Sequence, residues 1–195
     1  MFALSEIDSC YFTRNTASTR TKNIFMGFSE VSIRDTTFRS TPVLEPTEYA
    51  MDDETQGAFL FVILDVILDM WKTKFLDGTA KLGGAIYLSG ASNMTMNNCD
   101  MQNNVARING GGIYAAAYNK VEILSGTTLK NNRVVTGQGD DIYVANTQNT
   151  LELDAVEISN KYAKTSIYVD TASLVMSSGH IHDIANRYSL QGGAV

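Results

Sequence analysis

Residues 83–132 read Gly83-Gly84-Ala85-Ile86-Tyr87-Leu88, then Met94-Thr95-Met96, then Cys99-Asp100-Met101-Gln102-Asn103-Asn104. They then begin again as Gly110-Gly111-Gly112-Ile113-Tyr114-Ala115, Val121-Glu122-Ile123 and Thr127-Thr128-Leu129-Lys130-Asn131-Asn132. Each unit is a glycine pair or triplet, three short apolar segments and a closing asparagine. A period of this size marks stacked repeats.

Working outward, isoleucine–tyrosine pairs recur at Ile86-Tyr87, Ile113-Tyr114, Ile142-Tyr143 and Ile167-Tyr168, spaced 27, 29 and 25 residues apart. A second series is Met94/Met96, Val121/Ile123, Leu151/Leu153 and Leu174/Met176. A third is Cys99/Met101, Thr127/Leu129, Val156/Ile158 and Gly179/Ile181. Every segment alternates apolar and polar over three to five residues, the strand period of two. The expected fold is all-β: a right-handed, single-stranded parallel β-helix of about six coils, with three strands per coil. The leucine–asparagine consensus of leucine-rich repeats is missing, and a propeller blade needs about 40 residues. Glycines suit the tight corners. Asn15, Asn104 and Asn132 each follow an inward apolar residue (Phe12, Met101, Leu129) by three, and can bond from coil to coil or serve as plain turn residues.

Gly83 to Ile86, Gly111 to Ile113, Gly139-Asp140-Asp141-Ile142 and Cys10-Tyr11-Phe12-Thr13-Arg14-Asn15 together resemble the polymorphic outer membrane protein repeat, Gly-Gly-Ala-Ile followed by Phe-x-x-Asn. The wider group is the giant extracellular right-handed parallel β-helix proteins of microbes. The match is good from about residue 83 onward and weaker before it. Met101 and Leu129 replace the phenylalanine before Asn104 and Asn132. The resemblance implies a surface or secreted protein used for adhesion or structure, and names no ligand.

Composition narrows the classes. The chain has 195 residues, 44% hydrophobic, with a net charge of −6. One domain spanning 1–195 is expected, with a core too large for a disordered chain. An acidic chain without a Lys/Arg cluster argues against nucleic acid. The most apolar stretch, Ala58 to Trp71, carries Asp65 and Asp69 and is too short to span a bilayer. Met1 to Glu6 lacks the features of a signal peptide. Both ends fall inside a coil, which suggests a fragment of a longer solenoid, uncapped at both ends, or ends covered by partners. Cys10 and Cys99 take the same coil position three coils apart. That is roughly 14 Å, beyond the reach of a disulfide, so two free, buried thiols are expected.

In chain order, residues 2–17 form a first coil. Residues 23–39 form a second, with Ile24, Met26, Phe28, Val31, Ile33 and Phe38 inward. Residues 40–56 hold both prolines, Pro42 and Pro46, with Glu45, Glu48, Asp52, Asp53 and Glu54, and read as an acidic loop insertion. Gly57 to Trp71 makes a third coil, with a short helix at 64–74 as the competing assignment. Coils four to six follow from Lys81, and Gly192 opens a partial seventh.

Alternation turns Tyr87, Tyr114, Tyr143 and Tyr168 outward as one column, which Phe25 extends. Such a stripe suits sugar rings or a protein surface, or simply stacks on itself. Polysaccharide lyases and hydrolases of the pectin lyase-like fold need carboxylates converging on one bond. The best acidic pair, Asp140-Asp141, points to opposite faces, and Gly111-Gly112 and Thr165-Ser166 beside it offer no second acid. His180 and His182 share an outward face with Glu157 one coil below and Asp183 nearby, a weak candidate for zinc. No phosphate loop or nucleophile elbow is present, and Asn93-Met94-Thr95 is an N-glycosylation sequon. The sequence therefore points to a non-enzymatic structural or adhesive segment, extracellular or at the cell surface. It is expected to need no cofactor and to meet protein partners, itself through its ends, or carbohydrate. The competing reading is a carbohydrate-binding or polysaccharide-degrading β-helix.

Overall fold

Short alternating segments bounded by turn residues make strands. In the computed structural model, which describes residues 3–14, 23–42, 55–117 and 119–182, every regular element is a strand and none is a helix. Each strand pairs in parallel with its counterpart one coil away, so the chain is a β-solenoid of about six turns. Three long sheets run along it. The first joins Ile24–Gly27, Leu60–Ile63, Ile86–Ser89, Ile113–Ala115, Ile142–Ala145 and Ile167–Asp170. The second runs from Ala3–Asp8 through Asn93–Asn97 to Ser173–Met176. The third runs from Tyr11–Thr13 through Asp100–Gln102 to Gly179–His182. Thr79–Leu82, Val105–Asn109 and Arg133–Val134 form a short fourth sheet at one corner.

The isoleucine–tyrosine pairs stack in register, Ile86 on Ile113, Ile142 and Ile167, with Tyr87, Tyr114, Tyr143 and Tyr168 beside them. Alternation sends the isoleucines inward, where all four are fully buried. A second inward column stacks Phe12 on Phe38 at 4.8 Å and Phe38 on Phe75 at 5.2 Å between ring centroids. It continues through Met101, Leu129, Ile158 and Ile181. Aromatic rings thus fill the interior early in the chain, and aliphatic side chains fill it later.

Single left-handed residues make the corners. Ser9, Asp35, Lys72, Asn98 and Ala155 hold φ between 45° and 54° where the second sheet turns into the third. At the corner before the first sheet the same task falls to Gly57, Gly83, Gly110 and Gly139, with φ of 62° to 70°. A Cβ on Gly83 would come within 2.1 Å of the Ile86 carbonyl oxygen, so this corner admits only glycine.

Several expectations need correction. Phe28 is not inward: it is 59% exposed and occupies a corner with φ of 50°. The helix at 64–74 gives way to strands Ile67–Trp71 and Lys74–Leu76, because Leu64 and Asp65 adopt left-handed φ of 60° and 55°, which no helix accommodates. The unit Ile167 to His182 is a coil of its own, so four coils rather than three follow Lys81 among the described residues. Cys10 and Cys99 do share a column, with Thr36 and Thr73 between them. Both are free, but Cys10 is exposed and only Cys99 is buried. Among the described residues Thr36 packs on Cys10 from one side, whereas Cys99 lies between Thr73 and Thr127. Asn15, Asp183, most of the acidic loop and the unit from Gly192 lie outside the described residues.

Candidate functional site: an uncharged aromatic face

The first sheet's outward side carries six rings in one row: Phe25, Phe61, Tyr87, Tyr114, Tyr143 and Tyr168. Successive centroids lie 5.3, 5.1, 5.4, 5.1 and 5.2 Å apart. From Phe61 onward neighbouring planes differ by only 10° to 17°. The pitch follows from the strand spacing of about 4.8 Å. Each interior ring therefore has another ring against both of its faces, an offset-stacked geometry that is favourable in itself. What the row presents outward is ring edge and, from Tyr87 on, hydroxyl.

Phe61 was not assigned to the row from sequence. The signal was there, because Leu60-Phe61 is an apolar–aromatic pair in the unit beginning at Gly57 and aligns with Ile86-Tyr87. It is only 7% exposed and separates Phe25, 48% exposed, from the row's longest accessible run, the four half-buried tyrosines. Burial pushes the hydroxyls of Tyr87 and Tyr114 above the usual phenol range. Tyr143 is pushed up to about 12, by burial first and then by the charge of Asp170. These three remain neutral donors and acceptors at physiological pH.

Beside the rings, the next outward positions hold Gly27, Ile63, Ser89, Ala116, Ala145 and Asp170. Small side chains there leave room for the hydroxyl ends: Tyr87 bonds Ser89, and the Tyr143 hydroxyl donates to Asp170 Oδ2 at 3.5 Å. Apart from Asp170 at one end, none of these outward positions is charged. The second sheet contrasts with it, carrying ion pairs such as Arg34–Glu6 at 3.5 Å and Lys120 with Glu122 at 3.0 Å and Glu152 at 3.4 Å. The sequon's Asn93 is exposed on that same charged side.

The acidic pair is built into the scaffold. Asp140 and Asp141 are both buried and diverge. Asp140 accepts hydrogen bonds from the amides of Val134 at 2.9 Å, Lys164 at 2.8 Å and Thr165 at 3.2 Å. Asp141 accepts from Asn132 Nδ2 at 2.8 Å, Asn160 Nδ2 at 2.9 Å and Ser166 Oγ at 2.5 Å. Burial raises both carboxyls, Asp141 to about 6. Neither oxygen pair reaches an open surface where a substrate bond could lie.

Asparagines join this network. Asn132 Oδ1 accepts from the amide of Asn104 at 3.0 Å and from its Nδ2 at 2.9 Å, and Asn104 Oδ1 in turn accepts from the Gly78 amide at 2.8 Å. The expected coil-to-coil ladder is therefore present at Asn104 and Asn132. A second ladder, at the corner before the second sheet, was not anticipated. Asn149 Oδ1 accepts from the Asn119 amide at 2.6 Å, and Asn119 Oδ1 from the Ser92 amide at 3.2 Å. The signal lay on the other side: Ser92, Asn119 and Asn149 each stand two residues before an inward apolar residue (Met94, Val121, Leu151).

Glu157 is the in-register neighbour of His180, yet its carboxylate meets His182 Nε2 at 3.4 Å, and all three side chains are exposed. Among the described residues no group of three His, Cys, Asp or Glu side chains could hold a metal ion. Nor is any helix among them long and apolar enough to cross a membrane. Comparison with family models, with curated proteins and with solved structures finds no match to this chain.

Proposed function

We propose that this chain is a non-enzymatic structural or adhesive segment of an extracellular or surface β-solenoid protein, of the kind its glycine–isoleucine and asparagine repeat resembles. The observation that carries the reading is how the side chains are used. The carboxylates with the best claim to acid–base work, Asp140 and Asp141, are fully engaged in holding coils together. One uncharged face, by contrast, repeats the same aromatic contact group from coil to coil. A surface that repeats at a fixed pitch suits an extended contact rather than a single reacting bond.

Two measurements test it. Antibody labelling of unpermeabilised cells of the source is expected to mark their surface, and label confined to the interior overturns the assignment. The purified chain is expected to show no turnover on acidic or neutral polysaccharides. Turnover that disappears in Asp141→Asn would make it an enzyme instead.

A further inference from the structure

We infer that the tyrosine row is a binding face for an extended, uncharged, β-1,4-linked polysaccharide lying parallel to the solenoid axis, with about one sugar per coil. This rests on the contact-segment reading above and names its partner.

Pitch is the first argument. The accessible tyrosine rings repeat every 5.1 to 5.4 Å from coil to coil. An extended β-1,4-linked glycan advances by close to the same distance per sugar, so one register satisfies every coil at once. Chemistry is the second. Interior ring faces are already covered by neighbouring rings, so a sugar does not lie flat on a ring here. It meets a line of hydroxyls, at Tyr87, Tyr114, Tyr143 and Tyr168, able to donate to and accept from the hydroxyls along a glycan's edge. Tyr87 and Tyr143 already bond Ser89 and Asp170, but a purely apolar protein partner would bury the hydroxyls of Tyr114 and Tyr168 without partners, which is unfavourable. Charge is the third. The chain carries −6 overall, and this face has no cation to hold a carboxylated or sulfated glycan. The molecule repels an acidic polymer and does not repel an uncharged one. Single contacts of this kind are weak, and repetition along several coils supplies the avidity.

The test is affinity electrophoresis in gels containing hydroxyethylcellulose, with polygalacturonate as the charged control. The key variant is Tyr114→Phe/Tyr143→Phe, which keeps the stacked rings and the fold and removes two hydroxyls. The wild type is expected to be retarded by the neutral polymer and not by polygalacturonate. The double variant is expected to bind about tenfold more weakly, as the loss of two hydrogen bonds implies. Equal urea midpoints of the two proteins show that the fold is unchanged. Three results overturn the inference: no retardation of the wild type, equal retardation of the double variant, or equal retardation by polygalacturonate. A dimer in sedimentation equilibrium that dissociates in the double variant also overturns it, by assigning the face to a second copy of the chain. Surface labelling of cells without glycan retention removes the glycan alone and leaves the adhesive or structural assignment standing.

Discussion

At the level of single residues, two side chains of one type behave differently because of where they fall in the stack. The Cys99 thiol is buried between coils, and burial pushes it up to about 11. Cys10 lies in the same column but is exposed. A thiol reagent added to the native protein is expected to label Cys10 fast and Cys99 only after unfolding, as peptide mass mapping will show. Asp141 makes a second case. Its carboxyl stands at about 6 in the folded chain against an ordinary 3.8. Between those values the unfolded chain has lost its proton while the folded chain keeps it. Stability therefore falls as pH rises from about 4 to about 6 and levels off above, by about 3 kcal/mol from this group. Urea midpoints across that window are expected to show the fall in the wild type. The slope is expected to flatten in Asp141→Asn, even though the variant, with an amide facing the donors of Asn132 and Asn160, is less stable throughout.

Among the elements, the polar ladders and the ring row do different work. Asn132 is fully buried and bonds the coil below through Asn104 and the coil above through Asp141. Asn132→Ala strips partners from several buried groups and is expected to cost about 3 kcal/mol or more, read from the urea midpoint. The outward rings are stacked but half-exposed. Tyr114→Phe is expected to leave the midpoint within about 0.5 kcal/mol. Tyr114→Ala, which breaks the row in the middle, is expected to cost about 1 to 2 kcal/mol. The strands were legible before any coordinates, because a period of two and a repeat of isoleucine–tyrosine pairs admit few folds. So was the ladder at Asn104 and Asn132, since both residues sit at one fixed distance from an inward side chain. The corners were not legible. Lys72 and Ala155 adopt left-handed φ although nothing in their identity favours it, because the stacked strands on either side leave no other path. That same constraint put Phe28 on the outside.

For the whole molecule, the legible part of the candidate site was its column and the hidden part was its orientation. Sequence placed Tyr87, Tyr114, Tyr143 and Tyr168 on one line. It could not say that their faces would be turned toward one another, since side-chain torsions leave no trace in a repeat. Nor does a net charge reveal that, Asp170 apart, the charges lie off this line, because it carries no information about faces. Neighbour-to-neighbour stacking makes stability a sum over coils.

The columns stay aligned although the units differ in length. The turn through Leu124 and Gly126 holds one residue more than the equivalent turn after Met96, and Gly126, at φ of 75°, takes up the surplus before Thr127 rejoins its column. Errors in spacing are thus absorbed locally and never handed to the next level. A lineage could duplicate, delete or pad a single turn of this rod and keep its rows of side chains continuous, so that reach would be free to evolve while the surface it displays stays the same.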